Sequence, residues 1–170
     1  METSEPGPAE EEVQISDERW MERKKEYSRE NFILRFNYPF VLLIDEDADV
    51  DFEFRTQTTP GPREELPPTH RVLPLRSTGA NPYRDRIIVG RTRNCDVMIR
   101  SRDISKYHAD FRIETPTRAV LRDRKSSNGT TVGDRELEPN ESIVVNTGDR
   151  IRFGSTPVLF LGPGEFYDLL

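Results

Sequence analysis

From residue 31 onward the chain is cut by turn residues into short apolar or alternating runs, and few architectures tolerate that punctuation. The runs cover 32–36, 40–44, 52–54, 72–75, 86–89, 97–100, 109–113, 119–123, 130–132, 135–137, 142–145, 150–153 and 158–161. Between them stand Thr115-Pro116, Gly133-Asp134, Pro139-Asn140, Asn146-Thr147-Gly148-Asp149 and Gly154. Runs this short fall below the roughly 10–12 residues of a stable helix and match strands. Many short strands at about 8–12 residue spacing describe an all-β sandwich or barrel. A sandwich commits its strands to packing and ladder hydrogen bonds, which leaves function to the loops at one end.

The rest of the chain is organised around that block. Residues 1–15 carry Pro6, Gly7, Pro8 and the run Glu10 to Glu12 with almost nothing to bury, and read as a disordered acidic tail. Residues 16–29 read as a short helix with Ser16 as N-cap, acids first, and Trp20 and Tyr27 on one face. Residues 45–51 form an acidic turn, and 56–69, with Pro60, Gly61, Pro62, Pro67 and Pro68, a loop. The expected organisation is an acidic segment with a short helix over 1–30 and one β domain over 31–170. Only 34% of the 170 residues are hydrophobic and 33% are charged, which suits a compact core with solvated additions.

Several function classes drop out. No run approaches the ~18 apolar residues of a membrane helix. The first residues are acidic where a signal peptide is basic and then apolar, so the expected location is cytoplasmic. Cys95 is the only cysteine, which excludes an internal disulfide, and two histidines, His70 and His108, leave little for zinc. The acids Asp45, Glu46, Asp47, Asp49 and Asp51 lack the glycine and terminal glutamate spacing of a calcium loop. GxxxxGK, HExxH and CxxC are absent, and nothing orders Cys95 and His108 as nucleophile, base and orienter. No enzyme, cofactor or metal is expected.

The formal charge of −6 argues against nucleic acid as the main ligand, but it is unevenly spread. Residues 1–30 sum to −5, 31–86 to −2 and 87–170 to +1. Within the last segment Arg91, Arg93, Arg100, Arg102 and Lys106 face only Asp96 and Asp103. A charge run is ordinarily a solvated face, and a motif is needed to make it a site.

Three loops supply one: Gly90-Arg91 at a strand end, Ser105-Lys106-Tyr107-His108 before a strand, and Ser126-Ser127-Asn128-Gly129-Thr130 entering a hairpin. Each alone is weak, since Gly-Arg is common and Asn-Gly is first a turn signal. Their order is informative: Gly-Arg, Ser-x-x-His fourteen residues after the arginine, Ser-Asn-Gly-Thr, then Gly148-Asp149-x-Ile151-x-Phe153-Gly154. Together with Ile88-Val89, Cys95-Asp96-Val97-Met98-Ile99 and Leu121-x-Asp123, this pattern resembles the forkhead-associated (FHA) domain, a phosphothreonine-binding β-sandwich. The motif core spans 86–154; residues 1–30 lie outside it, and the long Pro-rich loop departs from the family in length.

The resemblance implies an FHA-like sandwich of about eleven short strands in two sheets. It implies Arg91 and Ser105 as phosphate contacts, with Lys106 adding charge or a backbone amide. Asn128 would hold the peptide main chain, Ser127 beside it as a secondary contact, with a small pocket near that loop taking the threonine methyl. His108 would brace the loops, and Gly90, Gly129 and Thr130 would support them. These residue types suit the ligand: a phosphate monoester carries about −1.5 to −2 charges and three acceptor oxygens, and wants a guanidinium fork with hydroxyl or amide donors. Read singly, Arg91 is a surface arginine pairing with Asp96 or Asp103, Ser105 a turn cap and Asn128 a hairpin residue.

The leading expectation is a non-catalytic signalling adaptor for phosphothreonine-containing segments of partner proteins, a Ser/Thr kinase or its substrates among them. The alternative is a phosphate-independent scaffold that uses a sheet face or the helix containing Trp20. A phosphorylated Thr3 on the chain's own tail is a further candidate ligand, with Thr56, Thr58 and Thr59 equally accessible. Neither nucleic acid nor membrane is expected as a partner.

Overall fold

Eleven strands and three helices account for the described residues, 18–44 and 71–170, of the computed structural model. One sheet runs in the order β2 (Arg71–Pro74), β1 (Phe40–Leu43), β11 (Thr156–Leu161), β10 (Arg150–Phe153), β7 (Thr130–Val132), β8 (Arg135–Glu136). The other runs β4 (Val97–Met98), β3 (Ile87–Gly90), β5 (Ala109–Thr115), β6 (Arg118–Asp123), β9 (Ser142–Asn146). The sheets form a sandwich of eleven short strands, as the strand punctuation led us to expect.

The alternation written in the strands builds the core. Side chains of a strand point alternately to its two faces, so Ala119 and Leu121 of β6 and Ile151 and Phe153 of β10 turn inward while their neighbours face out. They meet Val41, Val89, Ala109, Phe111, Val145, Val158 and Phe160 in one cluster. Phe111 of one sheet stacks on Phe160 of the other, with ring centroids 5.9 Å apart, which fixes how the layers face each other.

β1 breaks the alternation for a physical reason. Val41 joins the sandwich core, while Phe40 and Leu42, on the opposite face, are equally buried under a helical layer. That layer consists of α1 (Glu18–Glu26), α2 (Arg29–Arg35) and α3 (Pro163–Leu169). A strand covered on both faces reads as a continuous apolar run, hence Phe-Val-Leu-Leu. Trp20 of α1 sits edge-on at 5.3 Å to Phe36, 5.2 Å to Phe40 and 5.3 Å to Phe166. Arg29 at the start of α2 makes a forked ion pair with Asp168 of α3 at 2.8 and 2.9 Å.

Two local expectations need correcting. Residues 32–35 belong to a helix, not a strand, with Phe36 as its C-cap: Ser28 caps the start of α2 by accepting from the Asn31 amide, and Phe32 and Phe36, four apart, lie on its buried side while Leu34 is 78% exposed. The chain also closes with a helix that strand counting missed, α3, which Pro163 opens at its first turn and Phe166 anchors. The α1 helix appears within the expected 16–29. Ser16, the acidic tail, Thr3, the acidic turn at 45–51, the run 52–54 and the loop 56–69 lie outside the described residues.

Candidate functional site

The three loops singled out in the sequence meet at one end of the sandwich. β3 delivers Gly90 and Arg91, and the Arg91 amide donates to the Ser105 carbonyl at 3.0 Å. Beneath them the Lys106 carbonyl accepts from Thr92 Oγ1 at 3.3 Å and from Cys95 Sγ at 3.2 Å. That crowding explains Gly90, because a Cβ placed there would stand 2.2 Å from the Lys106 carbonyl oxygen. The third loop joins through the Ser127 amide, which donates to Ser105 Oγ at 3.0 Å, and through Asn128, whose Nδ2 donates to the Asp103 carbonyl at 2.8 Å.

His108 ties the second loop to the third. It is wholly buried; its Nδ1 accepts from the Ser105 amide at 3.1 Å, and Nε2 lies 2.9 Å from the Gly129 carbonyl, to which it donates. Those two bonds define the neutral tautomer with hydrogen on Nε2. Burial pushes the imidazole below its ordinary value, against the opposing pull of the Gly129 carbonyl, Asp123 and Asp103. Gly129 turns at φ 84°, a left-handed backbone that suits glycine, and its carbonyl also accepts from the Gly154 amide at 2.9 Å.

Three aspartates that sequence reasoning gave no role hold this end together. Asp123, buried, accepts from the Ser126 amide at 3.1 Å, from the Ser126 hydroxyl and from Thr130 Oγ1 at 2.8 Å, so it forms the floor of the third loop. Asp96 accepts from the Thr78 amide at 2.8 Å, its hydroxyl at 3.1 Å, the Ile88 amide at 2.9 Å and Asn81 Nδ2. Asp103 accepts from Ser101 and from both the amide and hydroxyl of Ser155. Burial, the largest influence on Asp103, pushes its carboxyl up, but the Ser101 and Ser155 donors together outweigh it and hold the group below its ordinary value. Asp96 and Asp123 stood within the motif pattern, Asp123 as the acid before the serine-asparagine loop, whereas Asp103 carried no such signal.

These commitments decide what is left for a ligand. Asp96 and Asp103, the carboxylates that would otherwise pair with Arg91, are spent on other donors. Arg91 is exposed, and among the described residues no carboxylate pairs with its guanidinium. Ser105 accepts a hydrogen bond and keeps its own proton to donate; Asn128 spends one N–H on Asp103 and keeps its carbonyl oxygen. Lys106, Ser127 and Asn128 are exposed around them. The arrangement is a cation and several donors beside an amide that can read a peptide main chain.

The only thiol and the only described imidazole are differently employed. Cys95 is 5% exposed, and burial pushes its thiol up, away from the thiolate a nucleophile requires, with the Thr92 hydroxyl opposing. Both His108 nitrogens are engaged by main chain. Among the described residues no group of three or more His, Cys, Asp or Glu gathers as metal ligands, and no helix is long and apolar enough to cross a membrane.

A rigid β-sandwich that presents a cationic, donor-rich loop cluster at one end is a loop-based recognition module. The FHA domain family model matches residues 87–154. The glycogen accumulation regulator GarA of Mycobacterium tuberculosis is 30% identical over 128 residues, which cover 72% of this chain and 76% of that protein. The chain belongs to the FHA domain family, whose defining domain is a phosphopeptide-binding module. FHA domain-containing protein PS1 of Arabidopsis thaliana is 32% identical over 75 residues, 44% of this chain and only 5% of that protein's length. A solved structure from work on phosphothreonine-dependent FHA domain interactions covers 72% of this chain and 95% of its own, at 20% identity and a TM-score of 0.48.

Proposed function

We propose that the chain is a non-catalytic signalling adaptor that binds phosphothreonine-containing segments of partner proteins downstream of a Ser/Thr kinase. One observation carries the reading: Arg91 stands exposed beside Ser105 while Asp96 and Asp103, the two acids interleaved with the basic run 91–106, accept from other donors. Arg91 gives the phosphate a planar fork, Ser105 a hydroxyl proton, and Lys106 further positive charge. Asn128 and Ser127 hold the peptide backbone. His108, Gly90, Gly129 and Thr130 keep the loops in register without touching the ligand.

A phosphothreonine peptide library compared with its unphosphorylated counterpart tests this. Binders should appear only in the phosphorylated set. Charge-assisted hydrogen bonds contribute about 1.5–3 kcal/mol each, so Arg91→Ala should weaken them by about a hundredfold. Equal binding of both libraries would sink the proposal, and complexes indifferent to Arg91→Ala would favour the phosphate-independent scaffold. Within the same reading a phosphorylated Thr3 competes for these loops; a Thr3→Ala chain that binds peptide no differently from wild type after kinase treatment would remove that device.

A further inference from the structure

A second concavity lies at the opposite end of the molecule from the loop cluster. β11 starts at Thr156, beside the Gly154-Ser155 turn that Asp103 holds, and ends at Leu161, paired with Phe40. Just beyond Phe40, a cavity of about 400 Å³ is lined by Trp20, Phe36, Tyr38, Arg19, Arg23, Arg35 and Arg76, with Val72 and Pro74 closing the wall. Among the described residues its lining holds four arginines and no acid. Arg23 pairs with Glu26 at 3.0 Å, whereas Arg35 and Arg76 pair with no carboxylate among the described residues.

Arg35 and Arg76 lie over aromatic faces, Arg35 at 5.7 Å from the Phe36 ring centre and Arg76 at 5.8 Å from that of Tyr38. This arrangement pre-orients each guanidinium and leaves its N–H edges for an anion. Burial pushes the Tyr38 hydroxyl above its ordinary value, while Arg76 and Arg35 pull the other way, which places their positive charge at the cavity wall. None of these residues belongs to the phosphopeptide loops.

We propose that this cavity is a second recognition site, which takes an acidic segment of a partner protein with an aromatic side chain among its carboxylates. The carboxylates would meet the Arg35 and Arg76 forks, and the ring would pack against Trp20, Phe36 and Tyr38. Charge complementarity and the aromatic wall together favour this occupant. A polynucleotide calls for a long basic stripe, which a single concavity on a chain of formal charge −6 does not offer. Within the chain, residues 1–17 are acidic but contain no aromatic residue, whereas residues 45–54 set Phe52 and Phe54 among six acids, so an occupant from the chain itself is an outcome of the test.

Trp20 is the only tryptophan, so its fluorescence reports directly on the cavity. The full chain should be titrated at low ionic strength with a blocked hexapeptide alternating aspartate or glutamate with phenylalanine. A saturable change in Trp20 emission is expected, absent with the same peptide carrying asparagine and glutamine, and at least tenfold weaker in Arg35→Glu/Arg76→Glu. Arg35 and Arg76 are exposed, and a thermal melt establishes that the variant is folded; Arg35→Lys/Arg76→Lys should restore part of the affinity. Arg91→Ala should leave this titration unchanged, and the double reversal should leave phosphopeptide binding unchanged, so the two sites stand or fall separately. The proposal is overturned by no saturable response, by an equal response to the amide peptide or to a single-stranded oligonucleotide, or by indifference to charge reversal. A response that appears only in Asp51→Asn/Glu53→Gln would assign the cavity to the chain itself and overturn it equally.

Discussion

His108 sits where one proton would undo two loops at once. Its Nδ1 must stay bare to accept the Ser105 amide, and burial already depresses its protonation from the ordinary value of 6.5. Between the folded and unfolded values the unfolded chain binds more protons, so this stabilisation is complete above about pH 6.5 and is lost as pH falls through the lower folded value. Urea midpoints should therefore decline below pH 6.5 in the wild type, and that component should vanish in His108→Asn. Gly90→Ala should destabilise by about 1–3 kcal/mol through the clash with the Lys106 carbonyl and weaken phosphopeptide binding, read by thermal melts and titration. Asp123→Ala should cost about 1–3 kcal/mol for each donor it orphans, the buried Thr130 hydroxyl first. That the loops carrying Arg91, Ser105 and Asn128 meet was legible, because motif order carried it. The donors that Asp96 and Asp103 accept from were not, because an acid among 31 looks like solvated charge until its partners are seen.

At the scale of elements, strand reading succeeded where a face alternates and failed where the chain packs a helix on a strand. The sequence Phe-Ile-Leu-Arg-Phe is short, apolar and rich in β-formers, and nothing in it distinguishes a buried strand from one turn of an amphipathic helix. The Ser28 cap and the pairing of Phe32 with Phe36 decide the matter, and they become visible only against Phe40 and Phe166. The helical layer packs on the face of β1 turned away from the sandwich core, remote from the loop cluster. Phe166→Ala, which empties a wholly buried position, should cost about 3–5 kcal/mol in urea unfolding. Phosphopeptide affinity of the folded variant should change by less than twofold. A second sheet feature, the buried Asp110 held by Arg86 at 2.8 Å, Arg122 at 2.8 Å and Arg124 at 3.1 Å, fastens β5 to its neighbours from outside. Removing that carboxylate would leave three guanidiniums crowded together, and Asp110→Ala should destabilise by about 3–5 kcal/mol in the same assay.

Across the whole molecule, an acidic chain carries a basic loop cluster at one end of its sandwich. Exposed charges are screened beyond about 10 Å at 0.1 M salt, so phosphopeptide association should slow several-fold between 50 and 500 mM salt in stopped-flow measurements, with dissociation changing less. The shared strand β1 bears on how the molecule can be divided. Residues 87–154, which the family model matches, leave out β1, β2 and β11, half of the strands of one sheet. They also leave out Val41, Val158 and Phe160, each fully buried in the sandwich core. Because Phe40 and Leu42 of that same strand roof over the helical layer, the two cores share a party wall. A domain cut to the motif would lose one side of the building, and one cut just before β1 would strip the wall's outer cladding.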